Sequence, residues 1–101
     1  MTDNTKKVYE IVAKIPCGKV MTYKSVGKAV GNLNPRVVGN ILHQNPDSST
    51  VPCHRVIRSD GKIASNYAFG GENEQREKLK QEGVIFFRGK VNLSHSQFFP
   101  K

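Results

Sequence analysis

The punctuation between Thr22 and Pro35 constrains the fold of this chain more than any other feature. Thr22 suits a helix N-cap, because its hydroxyl can accept a hydrogen bond from an otherwise unpaired first-turn N–H. The inward positions of the helix it starts are read as Val26, Ala29 and Val30, and Gly31 with Asn32 ends it. After a tight turn Asn34 caps a further helix, and Pro35 occupies the first turn, where its missing N–H costs nothing. That helix runs to about Gln44, before Asn45-Pro46. Two short helices across a tight turn predict a helix-turn-helix.

An amphipathic helix precedes the pair. From Thr5 to Ile15 the apolar residues Val8, Ile11, Val12 and Ile15 follow an i, i+3, i+4, i+7 spacing, and Pro16 with Gly18 closes the segment. On the helix after Asn34, Val37, Val38, Ile41 and Leu42 fall on one side, while Arg36, Gly39, Asn40 and His43 fall on the other. The second set offers a guanidinium, an amide, an imidazole and a glycine that admits another backbone, which suits a nucleic-acid groove. It equally describes an ordinary solvated face. Charge bears on the choice. The 101 residues carry 16 Lys+Arg against 8 Asp+Glu, a formal net charge of +8. From Lys14 to Lys62 there is a local excess of six, so the basic surface belongs to the middle of the chain and nucleic acid is the first partner implied.

The remaining punctuation marks loops inside one domain, residues 1–101, with no repeat and no linker. Val51 to Val56 is followed by Ile57 to Ile63, whose Asp60-Gly61 between apolar residues predicts a small hairpin that the Cys53-His54 pair precedes. Gly70-Gly71 opens a helix from about Glu72 to Glu82, supported by Glu72 with Arg76 and Glu74 with Lys78, and Gly83 ends it. Gln75, Leu79 and Glu82 share its other stripe, which predicts an inward carboxylate at Glu82. Val84 to Leu93, around Arg88-Gly89-Lys90, predicts a second hairpin. The fold class is mostly α with short β-hairpins, a winged-helix-like helix-turn-helix domain.

Two cysteines, Cys17 and Cys53, and three scattered histidines have no structural zinc spacing, and no metal is expected. The polar start and the lack of a long apolar run lead to the expectation of an intracellular protein, in the cytoplasm with the nucleoid or in the nucleus, without membrane contact. Cys53 beside His54 in an Arg-rich segment can be a nucleophile with its base, since a thiol attacks as thiolate. A small buried cysteine beside a surface histidine is the structural alternative. Cys17 is expected only to pack at a turn.

Pro52-Cys53-His54-Arg55-Val56, preceded by Asn45-Pro46, resembles the active-site segment of the O6-alkylguanine-DNA alkyltransferases. Ile15-Pro16-Cys17-Gly18-Lys19-Val20-Met21-Thr22-Tyr23 is similar to that family's approach to its helix-turn-helix. Arg36-Val37-Val38-Gly39 resembles the start of its recognition helix, and Glu82-Gly83 its terminal acid-glycine pair. The resemblance runs from about residue 5 to 85 with order and approximate spacing kept.

It implies minor-groove binding to double-stranded DNA, flipping of an O6-alkylguanine, and transfer of the alkyl group to a cysteine. By the resemblance Cys53 is the acceptor, His54 the base acting through a water, Glu82 the carboxylate that orients it, and Asn45 a hydrogen-bonding support. Arg36 fills the gap left by the base, Tyr23 helps rotate the nucleotide and meets the base edge, and Gly39 and Asn40 belong to the DNA-facing side. Val56 makes a backbone contact to the base, Tyr67 walls the pocket, and the Ala68 main chain donates to O6. The product thioether is not reversed, so the implied protein is a single-turnover methyltransferase, a monomer that needs no organic cofactor.

The size matches the alkyltransferase-like proteins, which bind the lesion without removing the group. These hand it to nucleotide excision repair proteins and usually carry tryptophan or alanine at the cysteine position. Cys53 favours transfer, because the thiol is the one group the reaction cannot do without. Asn40, His43, Gln44 and Ser48 depart from the family pattern, and Ser65 to Gly71 carries extra residues, with Phe69 bearing on pocket size.

Overall fold

A computed structural model of the chain describes residues 3–45, 50–63 and 71–99. In chain order the elements are α1 (Asp3–Ala13), β1 (Met21–Thr22), α2 (Tyr23–Val30), α3 (Pro35–His43), a 3-10 turn (Cys53–Arg55), β2 (Val56–Ile57), α4 (Gly71–Gln81), β3 (Phe86–Phe87), β4 (Lys90–Val91) and α5 (Leu93–Ser96). The mostly helical class with a helix-turn-helix is thus observed, and α1 lies about one half-turn earlier than its sequence pattern placed it.

Local chemistry starts and stops α2 and α3 as their sequence implies. Thr22 Oγ1 accepts from the Ser25 N–H, and Ser25 Oγ accepts from the Thr22 N–H, each at 3.0 Å, closing a reciprocal capping box. Gly31 ends α2 in the left-handed region, and Asn34 Oδ1 accepts from the Arg36 N–H at 2.8 Å to start α3. The turn between them closes where the Leu33 N–H donates to the Gly27 carbonyl at 2.9 Å. That approach needs glycine: a Cβ on Gly27 would stand 2.1 Å from the Leu33 carbonyl oxygen.

Two inward positions differ from the sequence reading. Ala29 is exposed and Gly27 buried, because the stripe on α2 is Tyr23, Val26, Gly27 and Val30, and a glycine carries no apolar signal. Val37 is 39% exposed, because the inward stripe of α3 centres on Val38 and Leu42 and continues to the buried Asn45.

The predicted hairpin at Asp60-Gly61 does not form. The turn itself is present, with the Gly61 N–H donating to the Arg58 carbonyl at 3.0 Å and the Arg58 N–H to the Lys62 carbonyl at 3.1 Å. β2, however, pairs with β1, in parallel, with Met21 opposite Val56 and Thr22 opposite Ile57. Val20, just before β1, bridges Gln97 on the other side. The second hairpin forms as expected, with β3 and β4 antiparallel.

Alternate side chains of this strand pair point to opposite faces, and so divide the core. Met21 and Val56 join Val8, Val12, Ile15, Val26, Val38, Leu42 and Cys53 under the helix-turn-helix. Val20 and Ile57 join Ile63, Leu79, Val84 and Val91 under α4 and the hairpin.

Gly27→Ala tests the turn. Overpacking against backbone costs up to ~3 kcal/mol, and the better helix propensity of alanine returns ~1 kcal/mol. A net loss of about 2 kcal/mol is expected in urea unfolding; an unchanged midpoint would mean that α2 and α3 are not held at this separation.

Candidate active site

The 3-10 turn places Cys53 inward and His54 toward α4. The Cys53 N–H donates to the Val51 carbonyl at 2.7 Å, the Val56 N–H bonds back to the Cys53 carbonyl, and Cys53 is 5% exposed. Gln75, fully buried on α4, clamps this turn, its Nε2 donating at 3.0 Å to the carbonyls of both His54 and Val56.

Glu82 follows the last turn of α4 and reaches the same segment. His54 Nε2 donates to Glu82 Oε2 at 2.9 Å. Arg55 grips the same carboxylate twice, Nε to Oε1 at 2.9 Å and Nη2 to Oε2 at 2.6 Å, while its Nη1 donates to the Ile15 carbonyl at 2.8 Å. One carboxylate therefore fixes an imidazole and a guanidinium.

The electrostatics follow from burial and these bonds. Burial would raise the Glu82 carboxyl, but hydrogen bonds from Arg55 and His54 outweigh it and hold the group below its ordinary value. Glu82 is thus ionised at neutral pH, and Nε2 of His54 must carry the proton it donates. Burial also lowers His54, more than the Glu82 hydrogen bond raises it, so the ring is neutral. Its Nδ1 then holds a lone pair, buried and with no hydrogen-bond partner among the described residues. The arrangement leaves Nδ1 able to accept a proton, on the residue next to the thiol in the chain.

Burial pushes the Cys53 thiol up, and the Asn45 hydrogen bond, the turn backbone and the Lys78 charge oppose it. Asn45 is buried and anchored by Nδ2 donating to the Val51 carbonyl at 2.8 Å. Tyr23, at the start of α2, is pushed up to about 12, by burial and then by the charge of Cys53. Its phenol stays a donor.

Tyr23 also lines a groove of about 370 Å³ with Lys24, Arg36, Gly39, Asn40, Arg58 and Ser59. The structure thus brings the sequence-derived candidates together in two groups. Asn45, Cys53 and His54, all buried, form one cluster with the half-buried Glu82, and Arg36, Gly39 and Asn40 edge the groove. Tyr23 belongs to both, since its ring packs on the core that holds Cys53. A Cβ on Gly39 would stand 3.9 Å from Tyr23 Cε1, so the helix backbone lies against the tyrosine.

Val56 is fully buried, with its N–H bonded to Cys53 and its carbonyl to Gln75, so only a second carbonyl lone pair is left for any ligand. Tyr67 and Ala68 lie outside the described residues, as do Ser48 and Phe69. Sequence reasoning assigned no role to Arg55, Gln75 or Arg58. Only the inward stripe of α4 carried a signal for one of them, Gln75. Among the described residues, no helix is long and apolar enough to cross a membrane.

The family model for the DNA-binding domain of 6-O-methylguanine DNA methyltransferase matches residues 3–84. Alkyltransferase-like protein 1 of Schizosaccharomyces pombe is 40% identical, over 93% of this chain and 93% of that protein. The methylated-DNA–protein-cysteine methyltransferase of Methanothermobacter thermautotrophicus is also 40% identical, over 82% of this chain but only 46% of that protein. Among solved structures, S. pombe Atl1 in complex with damaged DNA containing O6-carboxymethylguanine superposes with a TM-score of 0.87 at 35% identity, covering 99% of this chain and 98% of that one. Mycobacterium tuberculosis OGT in complex with DNA gives a TM-score of 0.74 at 32% identity, covering 82% of this chain and 50% of that one. The chain spans nearly all of the alkyltransferase-like relative and about half of the methyltransferases it matches. A buried Cys-His-Glu cluster beneath a helix-turn-helix, and matches of this extent, make the chain a member of the O6-alkylguanine DNA repair family, which holds both methyltransferases and alkyltransferase-like proteins.

Proposed function

We propose that the protein binds DNA containing O6-alkylguanine and takes the alkyl group onto Cys53. The observation that carries this reading is the acceptor itself: a buried thiol held by Asn45, next to a neutral histidine that Glu82 orients. In this scheme α3 enters the minor groove, Arg36 fills the space of the flipped base, and Gly39 and Asn40 lie along the groove wall. Tyr23 assists rotation and presents its phenol to the base. The sulfur of Cys53 attacks the alkyl carbon as the bond from that carbon to O6 breaks. The thiol proton passes to His54 Nδ1, through a water in the resemblance, and its return to the departing guanine restores charge balance. A neutral thioether is inert to water and nothing in the scheme takes the alkyl group off the sulfur again, so each molecule turns over once.

The second reading is a lesion-binding protein that performs no transfer and passes the site to other repair proteins. It is favoured by the near-complete mutual coverage with the S. pombe alkyltransferase-like protein. Intact mass after incubation with excess O6-methylguanine duplex separates the two. Transfer adds one methylene mass on Cys53; tight lesion-selective binding with no added mass establishes the second reading. Cys53→Ala is expected to abolish transfer and leave lesion binding largely intact, and Arg36→Ala to weaken binding. Demethylation by Cys53→Ala would overturn the mechanism.

Glu82 acts through His54, and its hydrogen bond and charge raise that ring's pKa. Glu82→Gln should therefore slow single-turnover transfer by about 10², the low end of general-base contributions. It should also move the acid limb of the pH–rate profile to lower pH, because the imidazole loses its carboxylate. A purely structural role for Glu82 would lower the rate without moving that limb.

A further inference from the structure

Away from the groove, the Asp60-Gly61 turn, α4 and the β3–β4 hairpin gather Arg58, Lys62, Arg76, Arg88 and Lys90 around one cavity, with Glu72 the carboxylate lining it. Glu72 pairs with Arg76 at 3.1 Å, and Asp60 with Arg58 at 3.2 Å, which leaves Lys62, Arg88 and Lys90, all exposed, outside both pairs.

The fold brings these cations together at a cost. The Val91 N–H donates to the Gly61 carbonyl at 2.8 Å, tying the turn to the hairpin and bringing Lys62 and Lys90 onto one surface. Both lie close enough to Asp60 to help lower its carboxyl, after the Lys62 backbone hydrogen bond that contributes most. Arg88 occupies the left-handed region at φ 54°, a position where turns of this kind prefer Asn or Gly. Its guanidinium lies over the Phe87 ring at 5.3 Å, set on the surface rather than folded into the core. Like charges concentrated by backbone packing, one of them on a strained residue, point to an anionic partner.

Position identifies that partner. Arg58, paired with Asp60, lines both this cavity and the groove of Tyr23 and Arg36, so the two basic surfaces adjoin between α3 and the hairpin. We propose that the cluster is a second phosphate-binding surface, which holds the backbone of duplex DNA beyond the nucleotides met by α3. The inference rests on the DNA-binding reading above and lengthens the stretch of duplex that the protein holds. The hairpin then serves as a wing on the flanking duplex.

The test uses the whole protein and labelled duplexes with a central O6-methylguanine, read by fluorescence anisotropy across a salt series. The molecule is 36 Å in its longest dimension, which spans about ten base pairs at ~3.4 Å each. With the lesion central, a duplex of about 10 base pairs reaches only ~17 Å to each side and one of about 22 reaches ~37 Å, so only the longer runs the length of the molecule from the lesion.

The triple variant Lys62→Ser, Arg88→Ser, Lys90→Ser should bind the long duplex at least about tenfold more weakly at low salt. Its slope of log K against log salt should be shallower by roughly 2 to 3, close to 0.9 for each phosphate that is no longer neutralised. Affinity for the short duplex and methyl transfer from it should be unchanged, as should the melting temperature. Arg88→Lys alone should keep the wild-type slope. An identical slope for the wild type and the triple variant on the long duplex overturns the inference while leaving lesion binding in place. The same slope together with lost binding of a polyglutamate peptide also overturns it and assigns the surface to an acidic protein segment. Failure of the wild type to bind either duplex overturns this inference and the DNA-binding reading together.

Discussion

The Glu82 carboxylate is the interaction on which the site depends, because three segments distant in sequence meet on it. It holds His54 by one hydrogen bond and Arg55 by two, and Arg55 in turn holds the Ile15 carbonyl just beyond α1. Charge-assisted hydrogen bonds contribute ~1.5–3 kcal/mol each, more than neutral ones, and stripping one partner from such a group strands the others. Arg55 thereby serves chemistry without touching the thiol. It supplies the positive charge that keeps Glu82 ionised, so that the carboxylate can direct the proton on His54 to Nε2 and leave Nδ1 open. With a neutral acid at this position, neither the tautomer nor the ring orientation would be defined.

The short parallel pair β1–β2 carries this geometry to the DNA-facing side. Two residues on each strand bring the Cys53–Arg55 turn, which leads into β2, close to Tyr23, which follows β1 directly. Met21 and Val56 face one core cluster while Ile57, with Val20 just before β1, faces the other, so a register slip in β2 would take Val56 and Ile57 out of their clusters. The spacing between nucleophile and recognition helix is thus enforced by burial of ordinary valines and isoleucines. The Gln75 amide completes it by binding both carbonyls that flank Arg55, which holds the Cys-His-Arg turn to α4 rather than to solvent.

Features legible in the sequence were those set by neighbouring residues. The Thr22 N-cap, the Gly31 C-cap, the Asn34-Pro35 start of α3 and the Arg88-Gly89 hairpin each depend on contacts within a few positions. The inward Glu82 was legible from its stripe with Gln75 and Leu79, although not the pair of side chains it binds. At Asp60-Gly61 the turn was read correctly and its strands were not. Gly61 adopts φ 86° and Asp60 Oδ1 accepts from the Lys62 N–H at 3.0 Å, but the partner of Val56-Ile57 lies more than thirty residues earlier, on β1. Ala29 and Val37 were misplaced because hydrophobicity marks which residues can be buried, whereas the helix phase is set by the whole stripe, including a glycine and the buried Asn45. Arg55 was passed over because a basic residue in a basic segment has no distinguishing pattern until its carboxylate is located.

Burial of Cys53 raises its thiol, which opposes attack, yet in the proposed transfer the same burial would make the reaction selective. An exposed thiolate would be open to any electrophile in solution, and a molecule consumed in one turnover would be lost to it. A thiol held neutral until a base fills the pocket ionises only when the alkyl carbon is in place. The lone pair on His54 Nδ1 is then available within a site from which the bound base excludes bulk water, where the charge of Lys78 and the Asn45 hydrogen bond stabilise the developing thiolate most strongly. In the proposed transfer, lesion binding and thiol activation are thereby one event. In the proposed scheme the thiol of Cys53 is the one group that transfer needs and lesion binding does not, whereas α3 with Arg36 serves either outcome.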